Sequence, residues 1–124
     1  MGYESKLYVV EKPIFELANN DRMIYCQVIA MFDLCKFPAL SIQLTKYPNT
    51  KYYFYADDGN TKILTDRYED TLKEIPLSDV INILETELSK GETYRRIYPV
   101  LAALKAIQEH KDQWREVVVL HYGY

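Results

Sequence analysis

Hydrophobic and polar positions alternate along residues 5–11, Ser-Lys-Leu-Tyr-Val-Val-Glu, with Leu7 and Val9 on one side and Tyr8 and Val10 on the other. That period of two predicts a strand, closed by Pro13. Residues 23–32 are apolar at almost every position except Gln27, a pattern that suits either a buried helix or a strand covered on both faces. The preceding Asn19-Asn20-Asp21 cluster favours a turn, so the run reads as a strand forming a hairpin with residues 5–11. Residues 37–47 lie between Pro38, acceptable in a first helical turn, and Pro48, which cannot continue a helix; Leu40, Leu44 and Tyr47 would share one face of a short helix.

The clearest local signal is residues 51–66. Residues 52–56, Tyr-Tyr-Phe-Tyr-Ala, have strong strand preference, Asp57-Asp58-Gly59-Asn60 supplies turn chemistry, and residues 61–65 return with β-branched side chains. Gly59 is the residue that takes a positive φ most freely. A polar, charged connection over 67–73 follows. Ser78 is suited to cap a helix carrying Val80, Ile81, Leu84 and Leu88 on one face, with Gly91 as its stop. A second helix from near Pro99 would bury Leu101, Ala102, Leu104 and Ile107 and turn Lys105, Gln108, Glu109 and Lys111 to solvent. Residues 116–121, Glu-Val-Val-Val-Leu-His, read as a covered central strand, packed on the last helix through Leu101, Leu104, Val117 and Val119. Together these elements predict a single α+β domain over 1–124, with one mostly antiparallel sheet and helices packed on one face.

A chain of 124 residues can bury roughly two-thirds of its unfolded surface, enough for its own core. With 48% hydrophobic and 27% charged residues it is ordinary globular material, which excludes a disordered or fibrous class. The formal charge of −3 argues against broad binding to phosphate backbones. Twelve tyrosines are the unusual feature: each pairs an apolar ring with a polar tip, suiting half-buried packing or a contact surface. Cys26 and Cys35 lack the spacing of a redox or zinc motif, and no apolar run reaches a membrane span or a signal-peptide core. A reduced, cytoplasmic setting without membrane association is therefore expected.

Tyr55-Ala56-Asp57-Asp58 resembles the metal-binding hairpin of reverse transcriptases, with Asp33 as a conceivable third carboxylate. The chain is too short for a polymerase palm and fingers, and residues 34–56 leave no room for the intervening elements, so turn chemistry is the preferred reading and no metal is assigned. His110 and His121 have no nucleophile or ligand pattern near them in sequence, and Cys26 and Cys35 sit in apolar sequence, as inert buried thiols do. No glycine-rich phosphate loop can be built, and no catalytic residue or cofactor is assigned. The best binding candidate is the segment with Tyr94, Arg95, Arg96 and Tyr98, since arginine forks and tyrosine rings suit interface hot spots as well as bases and phosphates. The alternative there is a first helical turn whose arginines pair with Glu69, Asp70 or Glu92.

The opening Met1-Gly2-Tyr3-Glu4-Ser5, the Ala30-Met31-Phe32-Asp33 segment, Tyr55-Ala56-Asp57-Asp58-Gly59-Asn60, Tyr94-Arg95-Arg96-Ile97 and the closing His121-Tyr122-Gly123-Tyr124 resemble small uncharacterised proteins encoded by phages and prophages of Gram-positive bacteria. The resemblance implies a protein that binds and blocks a host or defence protein. Two further readings stand beside it: a single-stranded nucleic-acid-binding module, and a metal-dependent nuclease or nucleotidyl transferase using Asp33, Asp57 and Asp58.

Overall fold

The structure, a computed structural model, describes residues 4–13, 24–66, 69–91, 96–110, 112 and 116–123. Strand β1 (Glu4–Glu11) is followed by β2 (Ile24–Tyr25), β3 (Gln27–Lys36), helix α1 (Pro38–Gln43) with a 3-10 turn at Leu44–Lys46, β4 (Tyr52–Tyr55), β5 (Lys62–Ile63), β6 (Lys73–Pro76), α2 (Leu77–Ser89), α3 (Ile97–Glu109) and β7 (Val117–Gly123). The main sheet is antiparallel with order β3-β1-β7-β6, and helices pack against it, so the domain is α+β. A second, three-stranded sheet has order β2-β4-β5.

The predicted hairpin partners do pair: β1 runs antiparallel to β3 with Val9 opposite Ala30. Asn19-Asn20-Asp21 lies outside the described residues. The described part of the apolar run, residues 24–32, is strand on either side of Cys26, but it is divided between two sheets. Ile24 and Tyr25 run parallel to Tyr52 and Tyr53 in the small sheet, and from Gln27 the chain belongs to the main one. The register slips between Ser5 and Lys6 and again between Val9 and Val10, so β3 carries an extra residue opposite each step, as bulges do when they twist an edge strand.

Two cores result, one on each face of the main sheet. On one face Leu7, Val9, Ile75 and Val119 meet Leu40 of α1, Val80, Ile81 and Leu84 of α2, and Ile97, Leu101 and Leu104 of α3. On the other, Val10, Val118 and Leu120 meet Cys26, Tyr52, Phe54 and Leu72, and the Tyr8 and Phe54 rings lie with centroids 4.4 Å apart. Alternation along β7 therefore sends Val119 to the helices, and Val118 and Leu120 to the small sheet.

Three local expectations are corrected. Ser78 lies inside α2, whose N-cap is Pro76 and has no side-chain cap bond, because β6 pairs with β7 as far as Pro76 and the helix starts directly from the strand. Residue 73, read as connection, opens β6, and Ile75 in that strand is fully buried. Ala102 is exposed, since Ile97, Val100, Leu101 and Leu104 already fill the inward stripe of α3. Gly91 does end α2: its φ is +81°, and its N–H donates to the Leu88 carbonyl at 3.1 Å.

Leu120→Ala would empty the core between the two sheets and should cost about 2–5 kcal/mol of unfolding free energy, read by urea denaturation. A loss below about 1 kcal/mol would mean the small sheet does not close that core.

Candidate functional site: an exposed tyrosine platform

Strand alternation in β4 sends Tyr52 and Phe54 inward, fully buried, and leaves Tyr53 and Tyr55 on the free face of the small sheet. Tyr25 stands opposite Tyr53 in the parallel β2–β4 pair, which brings three rings together. The Tyr25–Tyr53 centroids are 5.8 Å apart, Tyr25–Tyr55 5.6 Å and Tyr53–Tyr55 5.8 Å, all within the range of favourable aromatic contacts. Tyr25 is 48% exposed and Tyr55 38%. From β5, Lys62 places its ammonium 4.9 Å from the Tyr53 centroid, a cation–π contact. The Tyr53 phenol is raised above its ordinary value, first by desolvation among its neighbours and then by its hydrogen bond with Tyr55. The rings are thus clustered and backed by a packed core.

The turn that holds this hairpin uses the aspartates for structure. Asp58 Oδ1 accepts from the backbone N–H of Asn60 at 2.8 Å and of Thr61 at 2.9 Å, and Oδ2 accepts from the Thr61 hydroxyl at 2.6 Å. Those bonds hold the Asp58 carboxyl below its usual range. Gly59 has φ +73°, the left-handed conformation the turn demands. Asp33 Oδ1 accepts from the Cys35 N–H at 2.8 Å, beside a Cys35 φ of +55°. Asp33 and Asp57 both contribute to raising the Tyr8 phenol, although its burial contributes most. Among the described residues no group of three or more His, Cys, Asp or Glu side chains could hold a metal ion, so Asp33, Asp57 and Asp58 do not assemble a two-metal site.

Tyr94 and Arg95 lie outside the described residues, as does Glu92. Arg96 is exposed at the start of α3 and donates from Nη1 to the Asp33 carbonyl oxygen at 3.0 Å, bonding to the backbone of edge strand β3. Tyr98 is 60% exposed. This pair sits on the helix-bearing side of the main sheet, away from the tyrosine platform. The platform was hidden in the sequence because Tyr25 and Tyr53 are 28 positions apart and meet only through a two-residue parallel pairing; the i, i+2 spacing of Tyr53 and Tyr55 was its visible half.

Cys26 is buried, its thiol donates to the Tyr53 carbonyl at 3.3 Å, and burial pushes its pKa up to about 12, which leaves it without thiolate character at neutral pH. The Cys35 thiol is also raised, by desolvation first and then by Asp33. His121, which has no nucleophile near it in sequence, shares a 2.8 Å hydrogen bond through Nε2 with Ser5 Oγ, a residue 116 positions away. Ser5 is 0% exposed and His121 2%, so the pair is a buried hydrogen bond joining β1 to β7. Beside it lies a polar cavity of about 430 Å³ lined by residues including Asp66, Glu69, Asp70 and Lys73.

Burial pushes His121 down to about 4 from an ordinary value of about 6.5. The unfolded chain therefore binds the extra proton first, and stability that is complete above about pH 6.5 falls as pH drops towards 4. The loss attributable to this group should be about 3 kcal/mol. Urea unfolding across that interval should show a steeper pH dependence for the native sequence than for His121→Gln; equal slopes would contradict the assignment.

No protein-family model, no curated protein and no solved structure matches this chain.

Proposed function

We propose that the chain is a non-enzymatic, phage-encoded interaction protein that binds and modulates a host or defence protein in the cytoplasm, with the Tyr25–Tyr53–Tyr55 platform as its principal contact surface. The observation that carries this reading is the clustering of three tyrosine rings on a sheet face whose reverse side is packed. Tyrosine is enriched at interface hot spots because it offers a large contact area and a hydrogen-bonding tip for little loss of rotamer freedom. Two neighbouring rings restrict each ring further, so less freedom remains to be lost on binding. Arg96 and Tyr98, both exposed, are a second candidate contact. Among the described residues no helix is long and apolar enough to cross a membrane.

A second reading, a single-stranded nucleic-acid module, is favoured by one feature: the Lys62 ammonium over the Tyr53 ring, a combination of cation and stacking surface that suits bases and phosphates. The formal charge of −3 weighs against it.

A tagged pull-down from a Gram-positive host lysate, run with and without nuclease, separates the readings. A nuclease-resistant protein should be retained by the native chain and by Arg96→Ala/Tyr98→Ala more than about tenfold better than by Tyr25→Ala/Tyr55→Ala. Equal capture by the tyrosine variant would remove the platform from the interface. Single-stranded oligonucleotide binding that falls steeply with salt, and is lost with Tyr25→Ala/Tyr55→Ala, would put the second reading first.

A further inference from the structure

The platform leaves unused a concavity on another part of the molecule. A groove of about 680 Å³ opens where α2 begins and α3 ends. That volume is typical of sites for small organic ligands. Its apolar lining comes from Pro48, Pro76, Leu77, Val117 and Val118, brought together because β6 passes directly into α2 while β7 starts alongside. Its charged lining is unbalanced. Glu74, Asp112 and Glu116 contribute three carboxylates, and Lys12 is the one cation among the described lining residues.

Lys12 is already committed. Its ammonium lies 3.2 Å from Glu116 and 3.6 Å from Glu74, and 5.6 Å from the Tyr52 centroid, so it is held against one wall. Among the described lining residues its charge offsets one carboxylate and leaves an excess of two. Glu116 stands at the mouth with its side chain 72% exposed, well solvated and open to a second ion pair. Tyr47 borders the groove and donates its hydroxyl to Asp79 Oδ2 at 3.0 Å, which fixes the ring. Desolvation first, then that bond, raises the phenol, so it stays a neutral donor. With its O–H donated to Asp79, the Tyr47 oxygen is left to accept from a cationic N–H.

We propose that this groove binds a small organic cation: a primary amine or guanidine carried on an apolar body. The body would cover Pro76, Leu77 and Val118, and the cationic head would lie between Glu116 and Asp112, with Tyr47 and Gln108 at the sides. An anionic ligand would have to displace Lys12 from Glu74 and Glu116 while facing the remaining carboxylate. Lys111 and Arg115 neighbour the rim in sequence and lie outside the described residues, and for that reason ligands of opposite charge are the decisive comparison.

The test is titration of the full chain with benzylamine, benzyl alcohol and benzoate, followed by two-dimensional amide NMR. Benzylamine should shift the Leu77, Gln108, Val117 and Val118 amides, binding at least about fivefold tighter than benzyl alcohol, with benzoate weakest; a contact worth about 1 kcal/mol gives such a ratio. Asp112→Asn/Glu116→Gln, two exposed positions whose replacement leaves the cores untouched, should bring benzylamine to the level of benzyl alcohol. Benzoate binding as tightly as benzylamine, no localised shifts with any of the three, or an amine preference that survives the double substitution would each overturn the proposal. Because the groove shares no residue with the tyrosine platform, the pull-down result does not affect this one.

Discussion

The structure depends on β7 being satisfied on four sides at once. Its backbone is hydrogen-bonded to β1 along one edge and to β6 along the other, from Val117 to Gly123 on the first and from Val118 to His121 on the second. Its side chains alternate between two cores, Val119 towards the helices and Val118 and Leu120 towards the small sheet. A strand buried on both faces cannot slip by one residue without exchanging every side chain between the cores. Residues near the end of the sequence thus set the register of the first strand, from Ser5 opposite Gly123 to Glu11 opposite Val117.

This arrangement makes the small sheet a display surface. Strand pairs as short as β2–β4 and β4–β5 are marginal alone, but Tyr52, Phe54 and Ile63 anchor this sheet against Tyr8, Val10 and Leu120. Once the inward residues of β4 are fixed, Tyr53 and Tyr55 have to face outward, and the parallel pairing of β2 adds Tyr25. The thiol of Cys26, buried directly behind, ties that crossing to the Tyr53 carbonyl. The other edge of the main sheet is covered differently: Thr50 donates its backbone N–H to the Leu72 carbonyl at 2.8 Å, and the Pro48 carbonyl accepts from the Glu74 N–H at 3.0 Å. This covering of β6 also forms one wall of the groove that ends at Pro48.

Much of the architecture was legible in the sequence because its strongest signals are local. Alternation in residues 5–11, the Asp58-Gly59 turn, the stripe from Val80 to Leu88 and the β-branched run before His121 each correspond to an element in the structure. What was not legible arises from distance. The division of residues 24–32 between two sheets follows from tertiary pairing with β4, β6 is a four-residue strand recognisable only by its partner β7, and the start of α2 is set by that strand instead of by Ser78. For the site, the sequence pointed to tyrosine and arginine as residue types, but the rings that meet are Tyr25, Tyr53 and Tyr55. Ser5 and His121, at opposite ends of the chain, could be joined only by the β1–β7 pairing.

The central claim is that the platform and the main sheet form one cooperative unit, so that the rings are presented on a rigid support. Native-state hydrogen exchange tests it most directly. The Cys26 N–H, bonded to the Tyr53 carbonyl at 2.9 Å, and the Val119 N–H in the centre of β7 should open with the same free energy and the same denaturant dependence. If Cys26 instead exchanges through a low-energy opening with little denaturant dependence while Val119 stays protected, the small sheet detaches on its own, and the account of a preorganised tyrosine surface is wrong.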